Sequence, residues 1–193
     1  MRAEDLREAL VERGALLDGH FRLSSGRHSD RFVQKFRILE DPIVVEEIGQ
    51  ALAEAVAPLG PTIVVSAAVG GIVVGYEVAR ALGTKAIFVE KEAGVPTLRR
   101  GFALAPDDRV FVVEDVVTTG GSVREVLDVV AARGATTVAV GVIVRRQPSD
   151  FGVETIALLD LPVVSYDPAE CPQCEVGLPL TEPGSRFLTK PKP

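Results

Sequence analysis

Asparagine and tryptophan are missing from this chain, methionine occurs once and cysteine twice. The scarcity of thermolabile residues, beside abundant Ala, Val, Leu, Arg and Glu, is the pattern expected of a thermophilic source. No apolar run reaches the roughly 18 residues that a membrane-spanning helix needs. The amino terminus, MRAEDLREAL, is charged and amphipathic, unlike a signal peptide, so a cytoplasmic protein without a membrane partner is expected. Positive charge is also in deficit: 21 Lys and Arg against 27 Asp and Glu leave a formal net charge of −6. A general nucleic-acid binder carries a basic field, so that class of partner is not expected, although a local basic pocket is compatible with this balance. Two familiar phosphate signatures are absent as well. There is no GxxxxGK[ST], and VGGIVVG has the wrong spacing for GxGxxG.

The two cysteines form one CPQC, Cys171 and Cys174, in a Pro-rich tail. A single CxxC supplies two of the four ligands of a structural zinc site, and His20 and His28 are far away in sequence. A redox pair would open a helix after a strand, which this one does not. A turn is the expectation here; a disulfide or a metal shared between two chains stays open.

What is present is ordinary for one globular domain: 193 residues, 47% hydrophobic and 25% charged. Leu6, Ala9, Leu10 and Val11 predict a short amphipathic helix stopped by Gly14. The stretch GHFRLSSGRHSDRFVQKFRIL alternates about a Ser-Ser-Gly turn and predicts a hairpin. Asp41-Pro42 opens a helix running to Ala57. Thereafter apolar strands (TIVVSAAVGG, KAIFVEKE, RVFVVED, TTVAVGVIVRR, ETIALLDLPV) alternate with helices (IVVGYEVARALG, SVREVLDVVAARG), while AGVPTLRRGFALAPDD reads as a loop and the tail as irregular. The alternation predicts an α/β fold, a parallel sheet with helices on both faces, in a single domain over 1–193. Such sheets bind ligands at the carboxyl ends of their strands. Ser66–Gly71, Glu90–Arg100, Glu114–Ser122 and Arg145-Arg146-Gln147 all fall there.

One of these stretches is chemically specific. VFVVEDVVTTGGSVREV runs an apolar strand into Glu114 and Asp115, then through Val116 and Val117 to Thr118, Thr119, Gly120, Gly121 and Ser122, where a helix starts. Bare N–H groups at a helix start, with the dipole behind them, suit a phosphate, and the hydroxyls add donors. Carboxylates beside a phosphate repel it unless they face another part of the same ligand, such as vicinal hydroxyls and a hydrated Mg²⁺. A sugar 5-phosphate carries both ends at that separation.

This stretch resembles the phosphoribosyl-pyrophosphate loop of the type I phosphoribosyltransferases: four apolar residues, two acids, two variable residues, Thr, a small residue, Gly and a small or hydroxylated pair. HFRLSSGRHSDRF resembles the amino-terminal hood of the orotate phosphoribosyltransferases, F-x-L-x-S-G-x-x-S-x-x-[YF], and VRRQ resembles the segment in which an arginine of that family holds orotate. The resemblance covers the chain from Leu10 to about Arg186, with the hood contributed mainly by 1–40. It implies transfer of ribose 5-phosphate from 5-phosphoribosyl 1-pyrophosphate to N1 of orotate, in pyrimidine biosynthesis. It also implies Mg²⁺ carried by the substrate, with Glu114 and Asp115 nearby but no direct protein ligands, and a homodimer whose lid is shared between subunits. A purine or uracil phosphoribosyltransferase, or a non-catalytic sensor of phosphoribosyl pyrophosphate, remains an alternative.

Residue by residue, the resemblance implies Lys91, Arg99, Arg100 and Asp115 as catalytic groups. Glu114 to Ser122, with Lys91, would bind phosphoribosyl pyrophosphate. Thr118, Arg146 and Phe32 would bind orotate, with Arg145 replacing Arg146 if the strand phase is off by one. Gly94, Pro96 and Gly101 would be lid hinges. The chain departs from better-known bacterial members at Ser24, where they carry Lys, in SAAVGG, which lacks their Lys, and in the lid EKEAGVPTLRRGF, which lacks their His.

Overall fold

The computed structural model describes residues 1–23 and 25–183. Ser24 and the Gly184–Arg186 end of the family resemblance lie outside the described residues.

In chain order the elements are α1 (Ala3–Glu12), β1 (Leu16–Arg22), β2 (His28–Val33), α2 (Phe36–Leu39), α3 (Pro42–Val56), β3 (Ile63–Ala67), α4 (Gly70–Leu82), β4 (Lys85–Glu92), β5 (Val95–Leu98), β6 (Arg109–Val117), α5 (Gly121–Ala131), β7 (Thr136–Arg145), β8 (Thr155–Asp160), β9 (Ser165–Tyr166) and α6 (Pro172–Glu175). The Asp41 carboxylate caps α3 by accepting from the N–H groups of Ile43 and Val44, and Pro42 fits the first turn because it has no N–H to satisfy. Gly83 ends α4 in the left-handed region, at φ 68°.

The main sheet runs β5-β4-β3-β6-β7-β8. All neighbours are parallel except β4 and β5. Strand alternation divides its side chains between two cores. Phe111 and Val113 of β6 pack with α1, α3 and α4; Val110 and Val112 pack with α5 and the segment carrying Phe102 and Leu104. Helices therefore cover both faces, as the alternating pattern requires. Gly141 on β7 admits the Phe111 ring, which occupies the place a β-carbon would take. Among the described residues no helix is long and apolar enough to cross a membrane.

The segment expected to be a loop after Glu92 is instead half strand. Ala93 and Gly94 both hold positive φ, 49° and 85°, and turn the chain back so that β5 pairs antiparallel with β4. Pro96, expected as a hinge, sits inside this pairing opposite Lys91. It is tolerated there because β5 is an edge strand.

The hood is a separate three-stranded sheet, β1-β2-β9. Ser165 and Tyr166, just before the tail, supply its third strand; the tail, expected to be irregular, adds the short α6 and then follows β1, with Thr181 bridging Phe21. Arg27 donates to the Ser165 hydroxyl and carbonyl, and the Ser29 hydroxyl donates to the Val164 carbonyl, fastening tail to hood.

Candidate active site

β6 carries its two acids into the interior before it ends. Glu114 is 7% exposed and Asp115 1%. Burial next to Asp115 pushes the Glu114 carboxyl up to about 8, with loss of hydration the larger cause and the neighbouring charge the second. The Asp115 backbone N–H donates to Glu114 Oε1 at 3.0 Å. Lys35 supplies the nearby cation: its Nζ lies 2.7 Å from Asp115 Oδ2 and 3.0 Å from Oδ1. Lys35 leaves the hood just after β2, so this ion pair also locks the hood to the sheet. The residue types give no hint of it, since a lysine 80 positions away from its partner carries no local signature.

The loop after β3 completes the inner wall. A β-carbon on Gly70 would collide with Asp115 Oδ2 and lie 3.2 Å from Lys35 Nζ. The start of α4 reaches the acids because Gly70 has no side chain. The Ala68–Val69 peptide in this loop is cis.

Beyond the acids the chain emerges. Thr118, Thr119, Gly121 and Ser122 are exposed, and α5 begins without a side-chain cap. Its first N–H groups thus face outward at the positive end of the helix dipole. Gly120 takes φ 78°, and a β-carbon there would meet the Phe151 ring at 2.6 Å, so glycine is required on both counts.

Arg145 and Arg146 follow on the next strand, with the Arg146 N–H donating to the Val117 carbonyl at 2.8 Å. Their side chains differ. Arg145 holds Asp160 through two bonds of 2.6 and 2.9 Å. Arg146 is half-buried; among the described residues no carboxylate pairs with it and its Nε has no hydrogen-bond partner. Burial moves its pKa below the ordinary guanidinium value. Arg146 lines an open cleft of about 590 Å³ together with Arg145, Gln147, Ser149, Asp150 and Pro162. The larger cavity of about 800 Å³ lies against Thr62, Lys85 and Asp108, at the amino ends of β3, β4 and β6, the rim where such sheets do not bind ligands.

The lid cations stand apart from the acids. Lys91 Nζ contacts Glu125 at 2.7 Å, one turn into α5 and near the exposed loop. Arg99 and Arg100 pair with Glu92 and Glu90 of β4 at 3.2 and 3.0 Å. Phe32 stays within the hood, its ring tilted 5.8 Å from that of Phe21, and no described contact joins it to Arg146.

The phosphoribosyl transferase domain family matches residues 37–155. The orotate phosphoribosyltransferase of Pelotomaculum thermopropionicum is 52% identical over 177 residues, which cover 91% of this chain and 93% of that one. That of Thermotoga maritima is 48% identical over 187 residues, covering 95% and 99%. Among solved structures, the orotate phosphoribosyltransferase from Aeropyrum pernix superposes with a TM-score of 0.69 at 27% identity, over 81% of this chain and 93% of that chain. An adenine phosphoribosyl transferase from Trypanosoma brucei, 22% identical with a TM-score of 0.62, has the same fold. The acid pair at the end of β6, the uncapped start of α5 and these likenesses along nearly the whole length lead to one conclusion: the chain belongs to the phosphoribosyl transferase family, among its orotate phosphoribosyltransferases.

Proposed function

We propose that the chain transfers ribose 5-phosphate from 5-phosphoribosyl 1-pyrophosphate to N1 of orotate, releasing pyrophosphate and orotidine 5′-phosphate. The observation that carries the choice of base is Arg146. A half-buried guanidinium without a carboxylate partner, beside the phosphate loop, suits a planar carboxylate gripped through two parallel N–H donors. Arg145 is already occupied by Asp160.

In this reading the 5-phosphate sits on the N–H groups of Gly121 and Ser122 and the hydroxyls of Thr118 and Thr119. Val116 and Val117 bring that loop to the rim. Glu114 and Asp115 flank the ribose hydroxyls, and the Asp115 carboxylate opposes the positive charge that develops at C1 as the bond to pyrophosphate breaks. Lys91, Arg99 and Arg100 offset the charge of the departing pyrophosphate when the β4–β5 hairpin folds inward. Glu92 is exposed and Glu125 partly so, and pairs of that kind contribute about 0–1 kcal/mol, so Lys91 and Arg99 exchange easily for phosphate, whereas Glu90, opposite Arg100, is 18% exposed. Gly101, at φ 75°, lies at the base of the hairpin where a hinge belongs.

Lys35 balances Asp115, and the raised Glu114 carboxyl holds a proton that a divalent cation arriving with the substrate would displace. Glu114 and Asp115 would be the protein groups nearest that Mg²⁺, which would supply charge neutralisation at the pyrophosphate. The functional unit of the proposal is a homodimer. Val69, Val73 and Tyr76 form an exposed apolar stripe along the start of α4, 70%, 41% and 64% accessible, as a two-fold partner face requires.

The test is ultraviolet detection of base consumption with phosphoribosyl pyrophosphate, with and without Mg²⁺, for orotate, adenine, hypoxanthine, xanthine and uracil in parallel. Orotate alone should be consumed, and only with Mg²⁺. Faster turnover of another base would overturn the assignment, and a monomer by light scattering would remove the dimer.

A further inference from the structure

The hood and the tail meet at a cluster that the reaction does not use. His20 on β1, His28 on β2, and Cys171 and Cys174 around α6 each point one ligand atom at a common centre, with all four atoms within 4.8 Å of one another. We infer that these four side chains form a structural Zn²⁺ site that clips the tail to the hood.

The geometry arises from three local features. The first is a bulge in β1. Between Asp18 and Phe21 the strand advances three residues while β2 advances two, so Arg22 rather than Phe21 comes to pair with His28. The extra residue places His20 on the same face as His28; in unbroken register they would lie on opposite faces. The second is the CPQC turn. The Cys174 N–H donates to the Cys171 carbonyl and the Gly177 N–H to the Cys174 carbonyl, which folds both sulfurs to one side. The third is the orientation of the His20 ring. Its Nδ1 lies 2.7 Å from the Leu178 carbonyl, which can only accept, so Nδ1 carries the proton and Nε2 offers its lone pair to the centre.

Four of the six distances between these atoms are close to the edges of a tetrahedron around zinc. With Zn–N near 2.0–2.1 Å and Zn–S near 2.3 Å, the expected edges are roughly 3.3 Å for N···N and 3.5 Å for N···S. His20 Nε2 is 3.0 Å from His28 Nδ1. The Cys171 and Cys174 sulfurs are 3.5 and 3.6 Å from His20 Nε2, and Cys174 Sγ is 3.3 Å from His28 Nδ1. Two thiolates and two imidazoles select zinc over magnesium or calcium, which take oxygen ligands. Three of the four groups are buried: His20 3%, His28 6% and Cys171 1% exposed. Buried imidazoles and thiols crowded tip to tip are poor partners for one another, and a cation at the centre satisfies all four. A closed set of four protein ligands leaves no position for substrate, so the role is structural.

The test starts from tag-free full-length protein produced in zinc-supplemented medium and dialysed against metal-free buffer. Elemental analysis should find about one zinc per chain. Replacement by Co²⁺ should give the visible bands of tetrahedral cobalt and a thiolate-to-cobalt charge-transfer band. Cys174→Ser, at the exposed ligand, and His28→Gln should each lower retained zinc at least about tenfold. Asp115→Asn should keep it, which separates this centre from any Mg²⁺ at the active site. Wild-type protein without retained zinc or cobalt bands would overturn the inference. So would a Cys171–Cys174 disulfide found by mass spectrometry in freshly isolated protein, or unchanged zinc in both ligand variants.

Discussion

Glu114 and Asp115 are neighbours in sequence and in space; His20 and Cys171 are separated by 151 positions yet lie 3.5 Å apart. The carboxyl rim of the sheet and the seam between hood and tail are both polar clusters in an apolar protein, built in opposite ways. The rim draws most of its groups from one strand–turn–helix and exposes its donors to a ligand that comes and goes. The seam draws one group from each of two hood strands and two from the tail, and buries all but Cys174. An open rim suits chemistry and a closed seam suits structure. Lys35 joins the two regions, since it leaves the hood and ends on Asp115.

Asp115→Asn should separate the regions most sharply. It removes the buried charge that the proposal sets beside the ribose and should lower kcat by about a hundredfold or more, the loss typical of a group that stabilises transition-state charge. The circular dichroism spectrum should remain native. Near wild-type turnover in a steady-state assay would take Asp115 out of the chemistry.

Arg146→Ala comes next. Truncating one side of a desolvated charge contact costs roughly 2–5 kcal/mol, so KM for orotate should rise about thirtyfold or more, with little change for phosphoribosyl pyrophosphate. Arg145→Ala should show mainly a loss of stability, because its guanidinium holds Asp160. A reversal of these two outcomes would place the base on the other arginine.

At the seam the expected signature is thermal. Cys174→Ser should lower Tm by about 5 °C or more in scanning calorimetry, because metal binding free energy is folding free energy for the segments it joins. The KM for orotate should stay within about threefold, well short of the thirtyfold loss assigned to Arg146. A loss of orotate affinity as large as that of Arg146→Ala would mean that the two regions are not separable.

The smallest effect concerns pH. Glu114 has its carboxyl raised from 4.5 to about 8, so between these values the folded protein keeps a proton that the unfolded chain releases. Stability from this group is therefore full below about pH 4.5 and is lost as pH rises to about 8. Melting temperatures measured without substrate or divalent cations should drift down by a few degrees across that window, and Glu114→Gln should flatten the drift. An identical profile for the variant would show that Glu114 titrates normally.

What the sequence by itself determined lies within short windows. The apolar run Val110–Val113, the acid pair, the glycines and the following helix were all legible, because strand alternation, helix start and phosphate affinity are properties of adjacent residues. So were the hood hairpin, the cap at Asp41 and the alternation that implies a covered parallel sheet. Tertiary structure decided the rest. It paired β5 with β4 where the composition read as loop, and it continued β6 past the acids that were read as the strand's end, through Val117. It paired Arg145 with Asp160, on which the proposal rests its choice of Arg146. It set Lys35 on Asp115 and gathered His20, His28, Cys171 and Cys174, where sequence distance argued against a four-ligand set. The reason is physical: propensity and periodicity act over a turn of helix or a few residues of strand. Which distant polar groups meet is fixed only when two sheets, each burying its own apolar face, come to rest against one another.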